Sequence, residues 1–176
     1  MEPIVLFGIQ FTLSLVAYTL IAFWYVVPRL SGLPRDIALM PLLWIHVFRI
    51  AGGTILAPGA VDVRVPTEFR VMIGYGDLAT AVLALLALIA LRNRFPGAIM
   101  LVWLCIIVGT LDTVNAIIQS VRDSVFTYAL GVNWVIVSIY VPALLVSSVL
   151  IFLQLLRPNR STRKGVENGA VLQREY

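Results

Sequence analysis

Residues Phe69 to Leu91 read FRVMIGYGDLATAVLALLALIAL, an apolar run that is interrupted beyond Arg70 by one charged residue, Asp77. A helix of about 20 largely apolar residues, rising about 1.5 Å at each, matches the roughly 30 Å hydrocarbon core of a bilayer. The run is long enough to cross that core, so we predict a membrane-spanning helix.

Four further segments have the same length and character. The whole chain of 176 residues is 60% hydrophobic and 12% charged, and its mean hydropathy is +0.96. These values require lipid as the main solvent. We therefore predict an all-α polytopic membrane bundle of about five transmembrane helices, formed by residues 1–156. The other four predicted spans are Ile4–Val27, Ile37–Leu56, Gly97–Gln119 and Asn133–Leu156.

Arginine is distributed unequally between the two sides of this bundle. Cytoplasmic loops of membrane proteins collect Lys and Arg, and one side here has Arg29, Arg35, Arg92, Arg94 and the cations of the tail. The other side has Arg64, Arg70 and Arg122, each accompanied by a nearby acid. We predict a multi-pass cell-membrane protein with the N-terminus outside and the C-terminus inside. Residues 157–176 are predicted to be a basic, disordered cytoplasmic tail.

Three charged residues, Arg49, Asp77 and Asp112, lie well inside predicted spans. A central charge costs roughly 2.5 to 3.5 kcal/mol on insertion scales, so the three are expected to pair. Counting the helical rise from each span end puts all three between the midplane and the outer boundary. The sequence therefore predicts a polar pocket in the outer half of the bundle, centred on Arg49.

Other polar residues share helix faces with this cluster. His46 and Gly53 fall on one stripe with Arg49, because residues three and four apart are neighbours on an α-helix. The same spacing joins Asp112 to Asn115 and Gln119. The predicted ligand-binding set is His46, Arg49, Asp77, Asp112, Asn115, Gln119 and Tyr140.

Three functions are compatible with such a pocket. It binds or passes a small or lipophilic ligand, since ligand pockets combine apolar walls with a few polar groups. Alternatively, the chain is a membrane enzyme in which His46 and Asp77 or Asp112 perform acid–base chemistry while Arg49 stabilises negative charge. In the third alternative the chain is a scaffold or accessory subunit, and the cluster is a structural ion-pair network.

Cofactor and partner classes are limited by composition. One histidine and one cysteine exclude bis-histidine haem and thiolate zinc within a single chain. The only lysine, Lys164, is in the tail, which disfavours a retinal Schiff base. The sequence identifies no catalytic residue, cofactor or metal site. The predicted partners are the lipid bilayer, a lipophilic small molecule and a second copy of the chain in a homo-oligomer. The small-residue stripe around Gly74 and Ala81 would let another helix, of the same chain or of a second copy, approach closely. Nucleic acid is excluded, because the sequence has no basic face with interleaved aromatic residues.

Overall fold

The computed structural model describes residues 2–157, and these residues form helices and turns without a strand. Five helices in this part of the chain are long and apolar enough to cross a membrane. This confirms the predicted all-α class; the tail beyond 157, predicted to be disordered, lies outside the described residues. The helices are α1 (Pro3–Ser31), α2 (Arg35–Leu56), α3 (Thr67–Arg92), α4 (Ala98–Arg122) and α5 (Val132–Leu156).

Two of the long helices contain a widened turn next to a proline. The turn is π-helical at Ala22–Val26 in α1, before Pro28, and at Ile136–Tyr140 in α5, before Pro142. Proline has no N–H to donate and its ring crowds the preceding turn, so the hydrogen-bond pattern shifts there without ending the helix. The widened turn of α5 contains Tyr140, whose hydroxyl donates a hydrogen bond to the backbone carbonyl of Ile45 in α2.

Helix α2 changes its geometry halfway. It is α-helical over Arg35–Val47 and continues as a 3₁₀-helix over Phe48–Leu56. A 3₁₀-helix has three residues per turn, so residues three apart share a face. Arg49, Gly52 and Ile55 accordingly are the buried residues of this segment. Gly52 therefore takes the inward position that α-helical spacing had assigned to Gly53.

The bundle has two buried apolar clusters, one toward each end. The larger cluster lies at the end opposite the N-terminus, where it joins the four helices α2, α3, α4 and α5. It includes Leu39, Leu43, Val102 and Ile151. The smaller lies at the N-terminal end, where α1 begins and α2 ends. It contains Ile55, Val61, Val65, Phe69, Val125, Phe126 and Leu130. Helix α1 packs mainly on α5.

The two connections at the N-terminal end are held together. The backbone N–H of Asp62 donates to the carbonyl of Ala129 at 2.8 Å. Arg64 pairs with Asp62 at 2.7 Å and lies 5.1 Å from the centre of the Tyr128 ring. Hydrogen bonds from the Arg64 side chain and backbone lower the pKa of Asp62 to about 2. The connection 57–66 therefore is fixed over the turn Val125–Thr127.

Candidate functional site

The Arg49 guanidinium joins three helices at one point. Its Nε donates to Asp77 Oδ1 of α3 at 2.7 Å, and its Nη2 donates to Asp112 Oδ2 of α4 at 2.5 Å. Its Nη1 donates to the carbonyl of Gly109 at 3.0 Å and to Thr113 Oγ1 at 3.1 Å. The side chain is only 3% exposed. The structure thus brings together the three charges that the sequence predicted to pair.

These contacts use most of the hydrogens that Arg49 can donate. A guanidinium has five N–H groups, and the hydrogen on Nε, both on Nη1 and one on Nη2 are directed at protein acceptors. Within residues 2–157, Asp77 Oδ2 and Asp112 Oδ1 accept no hydrogen bond. The polar atoms that the cluster leaves for another molecule are therefore mostly acceptors.

Each charged side chain of the cluster lies against a glycine of a neighbouring helix. A Cβ added to Gly52 would overlap the Asp77 carboxylate, and one added to Gly76 would overlap the Asp112 carboxylate. A Cβ on Gly109 would approach Arg49 Nη1 to 3.2 Å. The helices can approach this closely only because these positions have no side chain.

A cavity of about 340 Å³ extends from this cluster toward the N-terminal end of the bundle. Arg49, Asp77 and Asp112 line one end of it. Its volume falls in the range of roughly 300 to 1,000 Å³ found for ligand pockets. Apolar residues contributed by all five helices and by the turn after α4 form most of the remaining wall, including Phe7, Ile55, Phe69, Ile73, Phe126, Val137 and Leu144.

Part of the cavity wall is formed by exposed residues of α4. Ile117 and Val121 line the cavity and are 43% and 66% exposed. Phe7 and Phe11 of α1 line the same cavity. The side chains that α1 and these turns of α4 contribute to the wall are therefore apolar.

The predicted binding residues divide into two groups. Tyr140 lines the cavity together with the three charged residues. Asn115 and Gln119 do not, because they donate from Nδ2 and Nε2 to the sulfur of Met72 at 3.0 and 2.9 Å. The face of α4 that lines the cavity contains Thr113, Ala116 and Ser120. The lining also includes Asp112, so this stripe runs from Asp112 in steps of four residues, whereas Asn115 and Gln119 lie on the side of α4 that meets Met72.

His46 lies apart from the cavity. Its ring is fully buried, and neither ring nitrogen has a hydrogen-bond partner within the described residues. No hydrogen bond in this part of the chain joins His46 to Asp77 or Asp112. The geometry therefore gives no direct proton path between the imidazole and the two carboxyl groups.

Two residues of the site, Thr113 and Asn133, were not predicted from the sequence. Thr113 is adjacent to Asp112 and accepts a hydrogen bond from Arg49. Asn133 lies at the predicted start of the fifth span, where an amide is ordinary, yet it is 4% exposed and lines the cavity. One feature of the sequence could have indicated Asn133. Thr54, a second polar residue, lies near the end of α2 at the same end of the bundle, and it bonds to Asn133.

Metal ligation finds no support in the described residues. Between residues 2 and 157 there is no group of three or more His, Cys, Asp or Glu side chains that could hold a metal ion. Cys105 is buried and has no disulfide partner.

Comparison with known proteins gives a family and no activity. A family model described as Domain of unknown function (DUF8737) matches residues 6–156. The curated proteins and the solved structures give no match. The matched range begins in α1 and ends with the last residue of α5, so it contains every residue that lines the cavity, from Phe7 to Leu145.

Proposed function

This chain belongs to the family described as Domain of unknown function (DUF8737); that description gives no activity, so we propose a function from the chain's own geometry. The proposal is a multi-pass membrane protein that binds a small lipophilic molecule carrying an amine or another hydrogen-bond donor. The observation that carries it is the apolar cavity with Arg49, Asp77 and Asp112 at one end. Apolar walls with a few convergent polar groups are typical of ligand sites.

The membrane location is supported by the outer surface of the bundle. Large apolar side chains face outward along the helices, among them Leu13, Phe23 and Leu111, which are 65%, 71% and 66% exposed. Continuous apolar surface on this scale is costly in water and favourable in lipid. The distribution of arginine supports an outside N-terminus and a cytoplasmic C-terminus.

Cysteine labelling in intact cells tests this topology. The native Cys105 is fully buried, so single cysteines can be added to an otherwise silent background. Val63→Cys, in the connection at the N-terminal end, is expected to react with a membrane-impermeant maleimide. Asn93→Cys, between α3 and α4, is expected to react only after permeabilisation. The reverse pattern would contradict the orientation, and labelling of both in intact cells would contradict membrane insertion.

The charges of the cluster support a ligand with a donor or a positive charge. One guanidinium faces two carboxyl groups, which leaves a formal negative charge when all three are ionised. A buried net charge is unfavourable in a low-dielectric environment unless a partner compensates it. A bound ammonium group at the end of the cavity that Asp77 and Asp112 line compensates this charge.

The shape of the cavity supports binding rather than passage. The packed cluster around Leu39, Leu43 and Val102 fills the bundle at the end opposite the N-terminus. Many of the residues that line the cavity, such as Phe7, Phe69 and Phe126, lie toward the N-terminal end. Passage to the opposite end would require a molecule to cross this packed cluster.

The two alternative functions, a structural ion-pair network and an acid–base enzyme, do not receive equal support from the geometry. Protein acceptors take four of the five N–H groups of Arg49, which supports a structural role for the guanidinium, alongside a binding role for the two carboxyl groups. The acid–base alternative draws no support from the position of His46, which lies outside the cavity and bonds to neither carboxyl group.

Ligand-dependent stability tests the proposed binding. Octylamine is expected to raise the unfolding temperature of the detergent-purified protein. At a hundredfold excess over its Kd, the free energy of unfolding should increase by about 2.7 kcal/mol. Octanoate, with the same chain length and a negative head, is expected to leave it unchanged. Asp112→Asn should remove most of the octylamine effect, whereas Asp123→Asn, at the end of α4 and away from the cavity, should keep it. Equal stabilisation by octanoate, or an unchanged response of Asp112→Asn, would count against the proposal.

A further inference from the structure

Asn133 presents a second polar group to the cavity, away from the charged cluster. Its side chain lines the cavity and is 4% exposed. Asn133 Oδ1 lies 3.1 Å from Thr54 Oγ1, while Asn133 Nδ2 has no hydrogen-bond partner within the described residues. A buried amide end without a partner costs free energy, which a hydrogen-bonding ligand recovers.

This unpaired end persists in either rotamer of the amide. Thr54 has a single hydroxyl hydrogen, and the backbone carbonyl of Ala51 lies 2.8 Å from its oxygen. If Thr54 donates to Ala51, the amide of Asn133 can turn its N–H to Thr54 and its oxygen to the cavity. The end of the Asn133 amide that lacks a partner is therefore an N–H or a carbonyl, and either can bond to a ligand group in the cavity that Asn133 lines.

The two polar ends of the cavity are well separated. Arg49, in the charged cluster, and Thr54, which bonds to Asn133, both belong to the 3₁₀ segment of α2. They are five residues apart in the chain, and a rise of about 2 Å per residue separates them by about 10 Å along the axis. Apolar side chains, including Ile73 and Val137, line the cavity as well.

We infer that the cavity is built for an elongated aliphatic molecule with a polar group at each end. An ammonium group lies against Asp77 and Asp112, and a hydroxyl or similar group bonds to Asn133 about 10 Å away. The inference rests on the proposed function and adds a second anchor and a length to it.

The proposed orientation also separates this ligand from bilayer phospholipids. The charged end of the ligand lies deep in the bundle, and its second polar group lies near the first residues of α5. A phospholipid in its own leaflet places its charges at the interface and its chains in the interior. The lipophilic amino alcohol is therefore the class that fits the cavity, and a phospholipid is an outcome of the test.

A chain-length series tests the inference without changing the protein. Binding of aminobutanol, aminohexanol, aminooctanol and aminodecanol, each with its two groups at opposite ends, is compared with binding of the plain alkylamines by isothermal titration. Plain amines are expected to bind more tightly with each added carbon, as more apolar surface is buried. The amino alcohols are expected to gain relative to the matched amines most strongly near aminooctanol. A constant ratio along the series would overturn the second anchor.

Substitution of Asn133 gives an independent readout. The preference for aminooctanol is the ratio of its affinity to that of octylamine, each normalised to its partition into detergent. In Asn133→Leu this ratio is expected to fall about fivefold relative to the wild type, which is equivalent to about 1 kcal/mol for one hydrogen bond. The octylamine affinity of the same variant is measured in parallel, so that the ratio reports the contribution of the hydroxyl group alone. Asn133→Ala serves the same comparison if the leucine variant does not fold.

The outcomes separate the two proposals. If octylamine binds in an Asp112-dependent manner but neither the length series nor Asn133→Leu alters the preference, only the second anchor fails. If octylamine does not bind to the wild type at all, the proposed function fails. If phosphatidylcholine from reconstituted vesicles co-purifies with the protein and competes with octylamine, the inferred ligand class is wrong, and only the assignment of the cavity as a binding site is kept.

Discussion

Replacing Arg49 with methionine is expected to lower the free energy of unfolding by about 3 to 5 kcal/mol, the range found when one partner of a buried ion pair is removed. Methionine keeps much of the length of the side chain but removes every hydrogen bond to Asp77, Asp112 and Thr113. Two carboxyl groups are then left close together without a cation. The measurement is equilibrium unfolding of the purified protein in detergent.

A surface ion pair of the same kind is the matched control. Arg64 also lies 2.7 Å from a carboxylate, that of Asp62, but its side chain is 68% exposed. Arg64→Met is expected to have little measurable effect on stability, because exposed pairs contribute little. If Arg49→Met is as mild as Arg64→Met, the three-helix junction does not hold the bundle together.

A triple variant separates charge from shape. Arg49→Met combined with Asp77→Asn and Asp112→Asn has no buried charge and nearly the same side-chain volumes. It is expected to regain much of the stability lost in Arg49→Met, since a neutral cluster avoids the cost of unpaired carboxyl groups. A triple variant no more stable than the single one would mean that the guanidinium acts by its hydrogen bonds to Gly109 and Thr113 rather than by its charge.

The fold was predictable because it depends on coarse properties of the sequence. The length of an apolar run determines whether a helix can cross a bilayer, and all five runs form long helices. The first helix extends to Ser31, beyond the predicted end at Val27. A widened turn precedes Pro28, and the helix continues past this proline. Such local changes depend on neighbouring turns, and a hydropathy pattern does not report them.

The centre of the site was predictable for an energetic reason, and its periphery was not. Three charges inside apolar runs are too costly to stay apart, which is why Arg49, Asp77 and Asp112 were expected to meet. The faces around them depend on helix period and rotation. A 3₁₀ segment in α2 determines which residues of that helix face inward. In α4 the lining continues from Asp112 through Ala116 and Ser120, so Asn115 and Gln119 do not reach the cavity.

The glycines explain how the charges can meet at all. A short carboxylate reaches a guanidinium on the next helix only if the backbones are close, and close approach requires a small residue at the contact. Gly52, Gly76 and Gly109 supply that contact on α2, α3 and α4 respectively. The charged cluster and the glycine pattern are therefore one feature, in which each glycine fixes the position of one charge.

Gly76→Ala is accordingly expected to destabilise the protein by about 1 to 3 kcal/mol, the usual cost of overpacking, and to weaken octylamine binding. The new methyl group would overlap the Asp112 carboxylate and push it away from Arg49. Gly8→Ala in α1 is the control, because a Cβ there meets nothing within 4 Å. In that open helical position alanine is expected to be neutral or to stabilise by up to about 1 kcal/mol.

A double variant tests whether the effect of Gly76→Ala acts through Asp112. Asp112→Ala removes the group that the new methyl would strike, so the double variant should be less destabilised than the sum of the single variants. Couplings of about 0.5 to 3 kcal/mol are usual for residues in contact. Strict additivity would mean that the methyl group disturbs α3 itself, and the carboxylate would then not be positioned by the glycine beneath it.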